Sequence, residues 1–317
     1  MREYYDENLT KVHSNGKYTK CAISTSEKNA VNNSSFSMCR FYETFKPKSL
    51  IGVTFQGCTF DTLWVPRQVG EIEGDVSTLF DCGHYVGRIY RPMEECKKTY
   101  AKLRSVNKLE TAVEHLPAFK HAHPKLVHLV DVSDPNDRTV YEKAGDWPCL
   151  PEKLRSAGEV YPSVTSLCLN HVWRVDSSLR KYFPNMKKIG FGCELRDPEA
   201  YDLSFLDSKI ALYLTEQSAA VLTKTATSFS NLDLYLRILP ANLTTSKVIE
   251  RLLEGNIKEI HVTGVLKEKV YPLLESGAKL FVGGKQRHLI STQLNHLGFE
   301  FYFTNFKREH YLWQMMG

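Results

Sequence analysis

The sequence predicts an α/β protein, a solenoid that stacks short strand–helix units with a parallel sheet on a concave face and helices on the convex face. The first reason is repetition. A short β-type run recurs as VTSLCL (164–169), MKKIGF (186–191), KIALYL (209–214), NLDLYL (231–236), NIKEIHV (256–262), AKLFV (278–282) and FEFYF (299–303). The second is length. Units of roughly twenty-odd residues fall in the solenoid range, and they are too short for the roughly 30-residue βαβ crossover of Rossmann-like or barrel folds. One unit cannot cover its own apolar side, so stacking is what would bury it.

Residues 1–35 are rich in Asn, Ser, Lys and Thr without a sustained period, and are expected to form a flexible tail or a loosely attached cap. A single solenoid is then expected over 36–317. MCRFYETF (38–45) reads as a short helix or irregular segment. SLIGVTFQGCTF (49–60) places Leu50, Val53, Phe55, Cys58 and Phe60 as one apolar unit. The stretch 61–115 is irregular, with a strand at HYVGRIY (84–90) and a basic helix over MEECKKTYAKLRSV (93–106). TAVEHLPAFKHA (111–122) supplies a helix before the strand LVHLVDV, in which Val127, Val130 and Val132 repeat the template.

The regular part runs over 116–304. Its helix-compatible pieces are SSLRKYF (177–183), SAAVLTKTATSF (218–229), SKVIERLLEG (246–255), KEKVYPLLESG (267–277) and HLISTQLNHLG (288–298). Ser246 suits an N-cap, and Gly255, Gly277 and Gly298 suit helix ends with positive φ. The last segment, 305–317, is expected to cap the final repeat through Trp313.

The order Leu50, Val53, Phe55, Cys58, Phe60 resembles the leucine-rich-repeat core L-x-x-L-x-L-x-x-C/N-x-L in its cysteine-containing, F-box-associated form. The resemblance covers roughly 49–60 and 115–304, with the usual asparagine after the strand largely replaced. It implies protein–protein recognition, as a signalling adaptor or as the substrate receptor of a ubiquitin ligase. The stretch before Ser49 is too polar and too poor in leucine for an F-box, so the ubiquitin-ligase role is an analogy at the level of fold.

Of the 317 residues, 41 are basic and 36 acidic, a net charge of +5. That is little for a dedicated nucleic-acid binder. The eight cysteines form no CxxC pair, the N-terminus is polar, and no apolar run reaches the length of a membrane span. An intracellular protein, cytoplasmic or nuclear, with reduced thiols is expected.

The chemistry-bearing motifs are weak. FVGGKQR (281–287) lacks the rest of a P-loop. Cys82, His84, Cys96, His121 and His123 lack matched zinc spacing, and His121 and His123 read better as helix caps before Pro124. Cys168 faces outward beside Asp131 and Gly190, which would not assist a thiolate. The reading is therefore non-enzymatic, with no cofactor and no metal.

What remains is the outward side of the strands. Tyr213, Tyr235, His261, Phe281 and Tyr302 are expected in one solvent-facing row, with Arg237, Glu259 and Lys279 alongside. Exposed rings with flanking charges have the composition of a binding hot spot. The expected partner is a protein or peptide. Single-stranded RNA is the alternative, through stacking on the rings and the clusters at Lys97, Lys98, Lys102, Arg104 and Lys108 and at Lys285, Arg287 and His288.

Overall fold

All strand pairs with a defined register are parallel, so the protein is α/β with parallel sheets. The structure is a computed structural model. It describes residues 2–25, 29–66, 69–81, 92–130, 149–169, 174–192, 201–207, 209–225, 227–238, 246–305 and 311–316. The chain divides into two compact units, Met1–Ala144 with Lys153–Val164, and Gly145–Glu152 with Thr165–Gly317.

In the first unit the chain winds between two sheets. Strands β1 (Arg2–Tyr5), β3 (Gly16–Thr19), β5 (Ser35–Ser37) and β7 (Thr54–Gln56) form one. Strands β2 (Asn8–Leu9), β4 (Ala22–Ser24), β6 (Arg40–Phe45) and β8 (Thr59–Trp64) form the other. The second sheet continues through β9 (Glu73–Phe80), β10 (Lys102–Ala112) and β11 (Leu126–Val130).

The winding explains the composition of the N-terminal segment. Between the sheets the chain must turn through left-handed backbone, and Asp6, Lys20, Met38 and Gly57 do so at equivalent corners, as Asn15, Asn33 and Gly52 do at another. Asn, Asp and Gly tolerate that conformation best. Inside, ring stacking matches the strand spacing of about 4.8 Å. Tyr4 lies on Tyr18 at 4.8 Å, Tyr18 on Phe36 at 4.6 Å, Phe36 on Phe55 at 5.2 Å and Phe41 on Phe60 at 4.5 Å.

The described residues 2–25 and 29–35 are therefore not a flexible tail. Val12, Tyr18, Cys21, Ile23 and Val31 are all buried. Likewise 38–45 is largely strand rather than helix. The segment 49–60 does not form one leucine-rich unit; β7 and β8 lie in different sheets with Gly57 turning between them. Leu50, Val53, Phe55, Cys58 and Phe60 are buried nonetheless, while Ile51 is exposed.

The helix expected over 93–106 stops early. Helix α1 spans Met93–Tyr100, and Leu103, Val106 and Leu109 then pair along β10 with β9. Register and burial override the charge-rich helical look of the segment. Residues 113–122 form a 3-10 helix packed on α1 and β10. His123 ends it with left-handed φ +49°, donating its backbone N–H to the Lys120 carbonyl, while His121 Nε2 lies 3.0 Å from the Tyr100 carbonyl. The strand read at 84–90 lies outside the described residues.

Helix α2 (Leu150–Ala157) precedes the second unit's sheet. That sheet runs β12 (Ser166–Leu169), β13 (Lys188–Phe191), β14 (Ala211–Thr215), β15 (Asp233–Ile238), β16 (Asn256–Val262), β17 (Lys279–Val282) and β18 (Tyr302–Phe303) in sequence order. Each coincides with one of the recurring runs. Between them lie α3 (Leu179–Tyr182), α4 (Glu216–Leu222), α5 (Ser246–Leu253), α6 (Tyr271–Leu274) and α7 (Arg287–His296). Thr215 starts α4 with a capping box, exchanging hydrogen bonds with Ser218.

Helices α4, α5 and α7 contact β14, β16 and β17. Leu167, Ile189, Leu212, Leu234 and Ile257 line up on adjacent strands, as do Leu169, Phe191, Leu214, Leu236, Ile260 and Leu280. All are buried. The single row expected for Tyr213, Tyr235 and His261 would set Leu234 beside Ile260. Instead Leu236 lies opposite Ile260, and Lys258 is an extra residue in β16 between the pairs Leu234–Ile257 and Tyr235–Glu259, which keeps Ile257 opposite Leu234.

Gly277 and Gly298 have the expected positive φ, +81° and +79°. Gly255 does not; a Cβ there would sit 2.5 Å from the Leu234 side chain, so close packing is what requires glycine. Helix α8 (Tyr311–Met316) contacts β12, β13 and β14. It lies over the first strands of this sheet, and the side chain of Trp313, expected to cap the last repeat, lies outside the described residues.

Phe41 is 1% exposed within the ring stack. Phe41→Ala is expected to lower unfolding free energy by about 3–5 kcal/mol, measured by urea denaturation; a mobile segment packing nothing would show no change. Gly74 has φ +140°, and a Cβ there would fall 2.3 Å from the Cys58 carbonyl oxygen. Gly74→Ala should therefore destabilise by at least about 2 kcal/mol, well above the ordinary effect of the exchange.

Candidate functional site

Strand alternation puts one side of the second unit's sheet under the helices and turns the other away from them. Tyr213, Tyr235, Arg237, Glu259, His261, Lys279, Phe281 and Tyr302 all alternate with core residues and share that other side. They do not form one row. Against that row, β16 and β17 pair two residues away, an even step that preserves the face but changes the neighbours.

Two ladders result. One runs Tyr213, Tyr235, Glu259, Lys279, and the other Thr215, Arg237, His261, Phe281, Tyr302. Tyr213 stacks on Tyr235 at 4.4 Å with rings 10° apart. His261 stacks on Phe281 at 4.6 Å and 14°, and Phe281 meets Tyr302 at 5.6 Å. Lys258 reaches back to Asp233, 3.5 Å from its carboxylate.

Exposure divides the face. Tyr213 and His261 are buried, 3% and 2% exposed. They are corrected from solvent-facing to covered. Tyr235, Arg237, Glu259 and Phe281 are half-buried, and Lys279 and Tyr302 are exposed. Cys168, expected to face water, is 1% exposed.

The cover over the first strands is α8. Met316 is buried, and its Sδ lies 2.6 Å from where a Cβ of Gly190 would be. Gly190 stands between Cys168 and Tyr213 on the same face. Lys188 Nζ donates to the Met316 carbonyl at 2.8 Å, a cation at a helix C-terminus. A glycine inside a strand marks close approach of another segment; Gly190 was the signal for this seat.

Burial pushes the phenols of Tyr213 and Tyr235 up, with Glu259 adding to both. Burial pushes His261 down, opposed by Glu259, whose Oε2 is 3.3 Å from Nε2. Arg237 and Phe281 are its neighbours on β15 and β17, and Lys279 lies next to Glu259.

The first unit contains a different kind of cluster. Asp81 accepts hydrogen bonds from Tyr100 Oη at 2.7 Å and Thr111 Oγ1 at 3.1 Å, and its Oδ2 lies 2.7 Å from His115 Nδ1. Cys96 completes the group, all donor atoms lying within 4.8 Å of one another. Burial pushes His115 down, but its bonds to Asp81 and Cys96 outweigh this and hold it up at about 10. The sequence reading grouped Cys96 with Cys82, His84, His121 and His123. Cys82 and His84 lie outside the described residues, and the partners found are Asp81 and His115. Cys21, Cys39 and Cys58 stack on successive passes of the chain. Burial raises Cys21, and hydrogen bonding to Cys58 with burial raises Cys39. The same hydrogen bond lowers Cys58.

The second unit also has a groove of about 1020 Å³ between residues 201–207 and 224–232, lined mainly by Ser, Thr, Asp and Asn, with no His or Cys. Among the described residues, no helix is long and apolar enough to cross a membrane. No protein-family model, curated protein or solved structure matches the chain.

His261 disfavours its proton in the folded state, so its share of stability is present above its unfolded value, about 6.5. It is lost as pH falls through the lower folded value. Between about pH 7.5 and pH 5, His261→Gln should lose less stability than the unaltered chain, read by urea denaturation at each pH. Equal losses would remove the burial of His261 as their cause.

Proposed function

We propose that the chain is a non-enzymatic protein–protein interaction module. It binds a protein or peptide on the open part of the second unit's sheet, through Tyr235, Arg237, Glu259, Lys279, Phe281 and Tyr302. In this reading the repeated units are divergent leucine-rich repeats, and the sheet face is the concave wall of a horseshoe.

The observation that carries the reading is the seat of α8. A helical segment already lies on this face over β12–β14, with a methionine fitted above Gly190 and a lysine on its terminal carbonyl. Among the described residues, the neighbouring strands carry half-buried Tyr235, Arg237, Glu259 and Phe281 and exposed Lys279 and Tyr302 on the same side. Rings give area at low entropic cost, and Arg237, Glu259 and Lys279 provide mixed charge. Mixed signs favour a polypeptide over RNA, whose phosphates would meet Glu259.

The test is affinity purification with mass spectrometry, comparing the intact chain with Tyr302→Ala and Arg237→Glu. Partners enriched on the intact chain should be lost from both variants. For a purified partner, Tyr302→Ala should weaken binding roughly tenfold or more, with a melting temperature within a few degrees of the original. Unchanged partners in both variants would overturn the reading, and nucleic acid binding that falls steeply with salt would replace it.

A further inference from the structure

We propose that Asp81, Cys96 and His115 form a site for one divalent cation of the zinc class. The three residues come from separate elements. Asp81 follows β9, Cys96 lies in α1 and His115 lies in the 3-10 helix 113–122. Their side chains converge in the interior of the first unit, where Cys96 is 0%, Asp81 2% and His115 3% exposed.

The donor set is what zinc takes: a thiolate sulfur, an imidazole nitrogen and a carboxylate oxygen. Charge also favours it. A dication with one thiolate, one carboxylate and a neutral imidazole sums to zero, and a neutral cluster is the form of buried charge that costs least. Binding releases the Cys96 thiol proton and any proton that His115 carries beyond the neutral ring.

The distances fit with small movements. Metal–donor bonds of about 2.0–2.3 Å put tetrahedral donors about 3.2–3.7 Å apart. The donors lie within 4.8 Å of one another, and the 2.7 Å contact between Asp81 and His115 opens by about half an ångström. Tyr100 Oη and Thr111 Oγ1 stay on the carboxylate and fix its orientation, as outer partners of metal ligands do. The fourth position goes to water or another non-protein donor. The cation would tie strand, helix and 3-10 helix together.

The experiment is titration of the full-length chain, stripped with chelator and kept reduced, with Co²⁺ followed by Zn²⁺. The site predicts one equivalent of Co²⁺, a thiolate-to-cobalt absorption band in the near ultraviolet, and its displacement by Zn²⁺ with a rise in melting temperature. Cys96→Ser should abolish the band, while Cys39→Ser in the cysteine stack should keep it. Circular dichroism reports whether each variant folds. If Cys96→Ser fails to fold, His115→Gln should lose stoichiometric binding in its place. No stoichiometric uptake by the unaltered chain overturns the proposal, whatever the variants do. A band that survives Cys96→Ser, or is lost with Cys39→Ser, also overturns it.

Discussion

Parallel backbone pairing is the constraint on which both units depend. Each new strand must lie one ladder step, about 4.8 Å, from the last and keep its alternate side chains on the same side. In the first unit that step equals the stacking distance of aromatic rings. Tyr4, Tyr18, Phe36 and Phe55 therefore form one column, which gains ring contacts of roughly 0.5–1.5 kcal/mol each beyond burial. In the second unit the same step aligns branched and aliphatic side chains beneath the helices. Where the ladder breaks, at Lys258, the break is by one extra residue, and the core absorbs it because Ile257 and Ile260 both remain inward.

The second unit was legible because β14, β15 and β16 show alternation and similar units recur on either side of them. KIALYL, NLDLYL and NIKEIHV each carry several inward positions, and helices with glycine stops separate them. The register was not legible. Ile257, Ile260 and Val262 offer inward residues at two equally good alignments against Leu234 and Leu236, and only the ladder chooses between them. The predicted single row of rings failed for that reason. The cover by α8 was not legible either, since a short terminal helix carries no address; the one hint was the bare position at Gly190.

The first unit was misread for a different physical reason. Its early strands are two to six residues long, too short for periodicity to register. Its turns are built from left-handed Asn, Asp, Lys and Met residues that look like the composition of a disordered tail. The cysteine at 58 matched a leucine-rich template while belonging to a corner between two sheets. The Asp81, Cys96 and His115 cluster was invisible because its members are far apart in sequence and come together only through the crossing from β9 to α1 and on past β10.

The register across β15 and β16 is the point at which the fold and the proposed binding face meet. It sets which rings stack, and it places Glu259 rather than His261 beside Tyr235. Backbone nuclear Overhauser contacts on deuterated protein read it directly. The structure requires cross-strand contacts joining Leu236 with Ile260 and Tyr235 with Glu259. Contacts joining Leu234 with Ile260 and Tyr235 with His261 would restore a single row and contradict the arrangement described above.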